Sequence, residues 1–427
     1  MKTRNGLTLI ILVSMLLLST VPVMAASTER SKKMHVSVRQ ITSGPKNHFF
    51  GYIGYALTIP WNAGGRYIVA LETEFFERMP KKGESANIVL VDTKNDNKIT
   101  VLDRTLAWNF QQGTMLYWNP DSPKTQFFFN DLDPKTGVVF TVLYDIKERR
   151  RVREYRFGNQ SIANGGVNPR GGWFAGTNYG RLSTARKVIS YAGAMDWTLG
   201  EKTANPDDDG LFLIDIATGE RKLLVSFRAL AEFFKVEEAE TYPLNVHYIV
   251  WNRDGDRIFF LLRGNGKKGF HGFYPEVGCV IHADGTGLKQ VPFTGHPEWA
   301  QGKNLVIPGN SGFDLYDVDQ GKVVGTIGNN EIFKNSMEDN VMSPDAVIYV
   351  GSHNPNNDSC VYTFLRLADG AFLRSPPIKT KRRPVINDCR IDPAPCWNRT
   401  SDAILVPGVA DDGTRQMFEI RLSVERK

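Results

Sequence analysis

A short pattern that recurs seven times constrains the fold of this chain more than any other feature. In each copy an aromatic or apolar residue precedes a tight turn of Asn, Asp, Pro, Ser or Gly, and a β-rich run follows. The copies begin at Trp61, Trp118, Val167, Trp251, Trp299, Met342 and Trp397. The turn residues supply the φ angles that a hairpin needs, and the apolar residues on either side supply two paired strands. The chain is therefore predicted to repeat one structural unit seven times.

A second turn signal follows most copies, as in LIDIATGERKLL and LYDVDQGKVVG. Two hairpin signals in each repeat indicate about four strands per repeat. The copies begin 43 to 57 residues apart, except for one interval of 84 residues. Four-stranded units at this period predict an all-β fold, a seven-bladed β-propeller.

The two chain ends predict how such a propeller closes. The last copy provides its turn, then ILVPGV and MFEIRLSV, and ends one strand short of four. Residues 34–41, MHVSVRQI, alternate apolar and polar side chains ahead of the first copy. We expect this N-terminal strand to complete the last blade, so that no sheet edge is left at the closure.

The long interval contains FRALAEFFKVEEAE, which has a helical rather than a strand pattern. Phe227, Leu230, Phe233 and Phe234 fall on one helical face. We predict a short helix packed on the third or fourth blade.

Residues 1–25 have the pattern of a secretory signal peptide. Lys2 and Arg4 precede an apolar run that ends in Val23-Met24-Ala25, which predicts cleavage after Ala25 and a secreted or periplasmic protein. Residues 26–427 are then a single propeller domain without a membrane span. The net charge of +6 falls to +4 on cleavage, and so small an excess argues against a dedicated nucleic-acid binder.

The four cysteines lie in the C-terminal part of the chain: Cys279, Cys360, Cys389 and Cys396. Export permits disulfides, and the short loop from Cys389 to Cys396 is the favoured pair. Their spacing does not indicate a zinc site.

The repeats resemble the WD40-like repeats of TolB-type propellers, whose copies read approximately WSPDGKxIxF and continue to a D-x-x-T-G turn. The resemblance covers nearly the whole chain after residue 25. It implies the propeller architecture and leaves the activity open, because propellers include enzymes, binding proteins and scaffolds.

The residues just before each repeat start are expected to lie on the innermost strands, where they converge on the central channel. Polar groups that converge in a concave centre are typical of a small-ligand site. The predicted binding residues are His48, Tyr55, Gln112, Asn164, Asn245 and Asn340, together with His247, His296, Arg390 and Tyr52, which are assigned chemical roles below. A hydrated channel lined by structural polar groups is the alternative.

The stretch GHPEW, residues 295–299, resembles the His-Pro motif of the oligogalacturonate lyase propellers. That resemblance implies cleavage of acidic sugar chains by β-elimination, and a divalent metal such as manganese at the uronate carboxylate. His247, His296 and Gln112 would be the metal ligands, since imidazole and carbonyl oxygen suit manganese. The family's second histidine is absent, because Thr294 and Glu298 occupy the positions two residues from His296.

β-Elimination needs a cation or metal at the carboxylate and a base near the carbon-bound proton. We assign the cation to Arg390, the base to His247 or His296, and protonation of the leaving oxygen to Tyr52 or Tyr55. The missing second histidine favours the other hypothesis, a non-catalytic propeller that binds a glycan or a protein partner.

Overall fold

A computed structural model describes residues 33–51, 58–200, 203–236, 242–264, 276–333, 339–356, 358–380 and 389–424. These residues form seven antiparallel sheets arranged as a propeller, which confirms the predicted fold class. In six of the sheets the four main strands follow chain order from the inside of the blade to the outside, and in the seventh the N-terminal strand takes the outermost place.

The first three blades follow the chain from residue 47 to residue 226. Blade 1 contains β2 (Asn47–Phe49), β3 (Tyr67–Thr73), β4 (Ala86–Asp92) and β5 (Lys98–Thr105). Blade 2 contains β6 (Tyr117–Trp118), β7 (Gln126–Leu132), β8 (Val139–Asp145) and β9 (Arg150–Tyr155). Blade 3 contains β10 (Ile162–Val167), β11 (Trp173–Asn178), β12 (Gly210–Asp215) and β13 (Arg221–Ser226).

The next three blades have the same order. Blade 4 contains β14 (Leu244–Trp251), β15 (Arg257–Gly264), β16 (Glu276–His282) and β17 (Lys289–Val291). Blade 5 contains β18 (Glu298–Trp299), β19 (Asn304–Gly309), β20 (Gly312–Asp317) and β21 (Lys322–Ile327). Blade 6 contains β22 (Val341–Met342), β23 (Ile348–His353), β24 (Ser359–Arg366) and β25 (Phe372–Arg374), and a short β26 (Ile378–Lys379) also pairs with β24.

Blade 7 joins the two ends of the chain, as predicted. Its strands are β27 (Cys396–Trp397), β28 (Ala403–Val409), β29 (Arg415–Val424) and β1 (Met34–Gln40). β1 pairs antiparallel with β29 along its whole length, from Met34 opposite Val424 to Gln40 opposite Phe418. The N-terminal strand therefore covers the outer edge of the last blade.

The tryptophan of the repeat links a blade to the blade before it at Trp118, Trp251, Trp299 and Trp397. The Trp118 indole N–H donates to the carbonyl of Pro60 at 2.7 Å, and that of Trp299 donates to the carbonyl of Val250 at 3.0 Å. Trp251 bonds to Gly166 in the same way. A buried indole needs a partner for its N–H, so this repeated bond explains why tryptophan marks the repeat.

The asparagine of the repeat links a blade to the blade after it at Asn62, Asn168 and Asn252. The Asn62 amide donates to the carbonyl of Lys124 at 2.9 Å, while its Oδ1 accepts the backbone N–H groups of Arg66 and Tyr67. Asn252 repeats the outward bond, to the carbonyl of Gly302 at 3.2 Å. Thus the Trp-Asn pair closes the turn and fixes the blade between its two neighbours.

The described part of the long interval contains two α-helices and a short 3₁₀ helix. α1 (Tyr179–Ala185) and a 3₁₀ helix (Lys187–Ile189) lie between β11 and β12 and were not predicted. α2 (Phe227–Phe233) was predicted, and it contacts β13 and β14, one strand from each of blades 3 and 4. Phe227 and Leu230 are fully buried, but Phe233 is 53% exposed. The predicted apolar face is therefore wrong at Phe233, because the helix ends there before that side chain reaches a blade.

The four cysteines are buried free thiols, so the predicted pair of Cys389 and Cys396 is wrong. The Cys396 thiol instead donates to the carbonyl of Ala394 at 3.6 Å. Within the described ranges, no helix has the length and apolar character needed to cross a membrane. The predicted signal peptide, residues 1–25, lies outside them.

Candidate functional site

The strand register separates the two ends of the central channel. The inner strand of blade 4 begins near Asn245, which faces Arg263 across the sheet, and Arg263 in turn faces Glu276. We call this the loop end, because the loops between blades enter the inner strands there. The opposite end is the turn end, where the turns of the seven repeats lie.

A β-bulge in β14 sets the direction of the side chains at the loop end. His247 pairs with Leu261 and Val250 with Phe259, so the inner strand has one residue more than its partner. Tyr248 takes the left-handed conformation with φ of 53°. Its ring stacks on that of His296, with 4.6 Å between the ring centroids and 15° between the planes. The bulge thereby brings blades 4 and 5 together through these two rings.

His247 is a neutral imidazole in this position. Its Nε2 lies 3.1 Å from Nη1 of Arg263, and because a guanidinium only donates, Nε2 accepts this bond. The remaining proton then lies on Nδ1. Burial, reinforced by the charges of Arg263 and Arg186, holds the pKa of His247 well below its ordinary value.

His296 has a carboxylate beside it rather than a cation. Its Nδ1 lies 3.5 Å from Oδ1 of Asp339, which precedes the inner strand of blade 6. The side chain of His296 is 31% exposed and that of Asp339 is 8% exposed. A carboxylate that holds a solvent-accessible imidazole is the arrangement used to orient a general base.

Arg390 links blade 7 to blade 2 at the same end. Its Nε donates to Oδ1 of Asp392 at 2.8 Å, and its Nη2 lies 3.5 Å from Oε1 of Gln111. Burial and the nearby Asp339 raise the pKa of Asp392, while Arg390 partly offsets the rise. The side chain of Arg390 is 53% exposed, so it is accessible from solvent.

The segment after α1 adds a third guanidinium, that of Arg186. Burial, together with the charges of Arg263 and Arg390, lowers its pKa to about 10, although Glu276 opposes the shift. Arg263 itself forms an ion pair with Glu276. Three cations from blades 3, 4 and 7 are thus close enough to repel one another.

Several buried polar atoms at or near the loop end have no hydrogen-bond partner within the described residues. They are Gln111 Nε2, both amide atoms of Asn245, His247 Nδ1, and Nε and Nη1 of Arg415. A buried polar atom without a partner is costly. Such atoms are the groups that a polar ligand or ordered water would satisfy.

His48 belongs to a separate network between blades 1 and 7. Its Nδ1 lies 3.0 Å from Oε1 of Gln416, and its Nε2 lies 3.3 Å from Oε2 of Glu72. Lys46 also pairs with Glu72, at 3.0 Å. Both ring nitrogens therefore have protein partners, and the described contacts do not connect His48 with His247, His296 or Arg390.

Gln112, Asn164 and Asn340 are also buried. The Asn164 amide donates to the carbonyl of Met115 and its Oδ1 accepts the N–H of Gly166, so it bonds inside the protein. Oδ1 of Asn340 accepts the N–H of Ser352 at 3.2 Å. Binding roles for these residues stay predictions. Tyr52 and Tyr55 lie outside the described residues.

The groups at the loop end do not fit the metal centre that the resemblance implied. Nε2 of His247 is occupied by Arg263, and the cations that hold this ring neutral would also repel a divalent ion. Among the described residues, no group of three or more His, Cys, Asp or Glu side chains is placed to hold a metal.

The sequence reasoning missed Arg186 and Arg263. Arg263 follows from strand pairing, because it ends the strand beside the predicted inner strand and faces Asn245. Arg186 gives no such signal, since it lies in an insertion without a counterpart in the other repeats.

Among the solved structures similar to this chain, one with a TM-score above 0.5 supports the propeller fold. An oligogalacturonate lyase in complex with manganese superposes with a TM-score of 0.54 at 13% identity, over 92% of this chain and 98% of that chain. A protein assigned as TolB from Agrobacterium tumefaciens has a TM-score of 0.36 at 10% identity, over 93% of this chain and 100% of that chain. The Cps50 (Swd1) β-propeller domain from Myceliophteria thermophila has a TM-score of 0.45 at 12% identity, over 90% of this chain and 99% of that chain. The sequence matches no protein-family profile and no curated protein.

Proposed function

We propose that this protein is exported and binds an acidic oligo- or polysaccharide at the loop end of its channel. The observation that carries the proposal is the clustering of three arginines: burial and the charges of Arg263 and Arg390 lower the pKa of Arg186, despite the nearby Glu276. A uronate carboxylate would relieve this repulsion and accept charge-assisted hydrogen bonds.

The buried polar atoms support a sugar rather than a simple anion. The amide of Asn245 and the Nδ1–H of His247 lack partners among the described residues. Hydroxyl groups both donate and accept, so a sugar ring can satisfy such atoms together.

Binding is tested by calorimetric titration of oligogalacturonate into the wild type and into Arg390→Gln. Arg390 is exposed, so the variant should fold. We expect it to bind about tenfold more weakly or worse, as the loss of a charge-assisted hydrogen bond predicts. Arg104→Gln is the matched control, because Arg104 is exposed on an outer strand of blade 1. Equal affinities in all three proteins would refute the binding proposal.

The pair of His296 and Asp339 favours a second step, cleavage of the bound chain by β-elimination. His296 would take the proton beside the carboxylate, and the electron pair of that C–H bond would form the C=C bond as the glycosidic C–O bond breaks. His247 is less suited to this role, because the lone pair of its Nε2 is occupied by Arg263. The leaving oxygen needs a proton, and Tyr52 remains the predicted donor.

Cleavage is tested by the ultraviolet absorbance of the unsaturated product, with pectic, alginate and ulvan-type fragments. We expect turnover without added manganese and its loss in His296→Gln. His282→Gln is the control, since His282 is bonded to Thr286 in an exposed turn. Binding without absorbance change across the panel would exclude the lyase and support a non-catalytic glycan-binding propeller. If the protein binds none of these three kinds of sugar fragment, the remaining hypothesis is a propeller that binds a protein partner.

A further inference from the structure

We propose that the turn end of the channel binds a small molecule with two or more oxyanion groups, such as phosphates or carboxylates. This site is distinct from the loop end and does not depend on the carbohydrate proposal. Its anchor is Arg399, in the turn that follows Trp397.

A cavity of about 480 Å³ occupies the turn end, and every blade contributes to its wall. The residues that line it are Ile59, Trp118, Pro120, Pro169, Arg170, Arg253, Asp254, Gln301, Gly302, Pro344, Ala346 and Arg399. Its volume lies within the range of small-molecule sites. The repeat places one turn from each blade at this end, so the cavity follows from the fold itself.

The three arginines of the wall differ in how their charges are balanced. Arg253 donates to the carbonyls of Trp299 and Pro344, at 3.2 and 2.9 Å, and Asp254 lies nearby. Arg170 pairs with Asp254 at 3.5 Å. These two arginines therefore have protein partners.

Arg399 has neither a hydrogen bond nor an ion pair to any described residue, although the surrounding protein lowers its pKa by desolvation. Arg399 is exposed at the wall of the cavity, and a guanidinium without a protein partner can donate charge-assisted hydrogen bonds to an oxyanion that enters it. Among the described residues, no carboxylate therefore balances the positive charge of Arg399.

A second cavity of about 260 Å³ extends from Arg399 toward blade 1, past Lys94 and the turn of Gly64 and Gly65. Lys94 is exposed. A ligand with a single anionic group would reach only Arg399, whereas one with two or more can also contact Lys94. Because Arg399 and Lys94 line the same cavity, we propose a ligand with at least two anionic groups.

The test is calorimetric titration of citrate, inorganic phosphate and acetate at constant ionic strength. We expect saturable binding of citrate, and weaker binding of inorganic phosphate and of acetate, because each of these two ions has a single anionic group. Arg399→Gln should weaken binding about tenfold or more, while Arg104→Gln should bind as the wild type does. Circular dichroism and the Tm verify folding, which the exposed position of Arg399 predicts.

A second variant, expected to strengthen anion binding rather than weaken it, makes the test independent of the folding of Arg399→Gln. Asp254→Asn releases Arg170 from its ion pair, so it should tighten binding of the same anion. Absence of saturable binding in the wild type would overturn the proposal. So would unchanged affinity in Arg399→Gln, or loss of binding in Arg390→Gln, which would place the anion at the loop end.

Discussion

The position of His247 in the fold decides its protonation state, whereas the sequence shows only that the residue is a histidine. The repeat predicted that His247 and His296 converge on the channel, and the structure places their rings in adjacent blades. Their different roles were not predictable. Burial and Arg263 hold the pKa of His247 low, and Arg186, which comes from an insertion outside the repeat, adds to the effect.

The lowered pKa of His247 predicts how stability changes with pH. The unfolded chain takes up a proton as the pH falls below about 6.5, the ordinary value for histidine, while the folded chain does not. Stability is therefore lost on acidification through this range, by about 1 kcal/mol at pH 5.5.

The variant His247→Gln should not show this part of the loss of folding stability at low pH. Urea denaturation of both proteins at pH 8 and at pH 5.5 measures the difference. The stability of the variant relative to the wild type should rise on going to pH 5.5. Curves that stay equally far apart at both pH values would show that His247 takes up its proton in the folded protein as well.

The strands and their closure were predictable because each local signal repeats seven times. Trp and Asn recur since each makes the same bond to the neighbouring blade, as the indole of Trp299 and the amide of Asn252 show. Features that the seven copies do not share escaped prediction: α1, the bulge in β14, and the end of α2 at Phe233. Their formation depends on tertiary contacts that a repeat does not encode.

The closing strand β1 gives a prediction about blade 7. A chain that begins at residue 41 lacks β1 and leaves the edge of β29 unpaired. We expect a lower Tm, stronger aggregation and amide exchange in β29 faster by about tenfold or more. A chain that begins at residue 33 keeps β1 and is the control. Equal exchange of β29 in the two chains would show that β1 does not stabilise the closure.

The whole molecule presents two chemically different ends of one channel. At the loop end, Arg186 and Arg263 lie beside His247 and Asp339 lies beside His296, whereas at the turn end Arg399 faces a cavity bounded by all seven repeats. The circular arrangement makes both ends, because only it brings His247, Arg390 and Gln111 together from distant parts of the chain. The sequence predicted this convergence, but not which partners would occupy each polar group, as His48 and Asn164 show.

A crystal structure of the protein soaked with a galacturonate oligosaccharide is the most direct test of the proposed carbohydrate site. We predict density for the sugar at the loop end, with one carboxylate within hydrogen-bond distance of Arg390 or Arg186 and a ring hydroxyl near Asn245. Sugar bound only at the turn end or on the outer strands, or no sugar at concentrations that saturate binding in solution, would contradict the account.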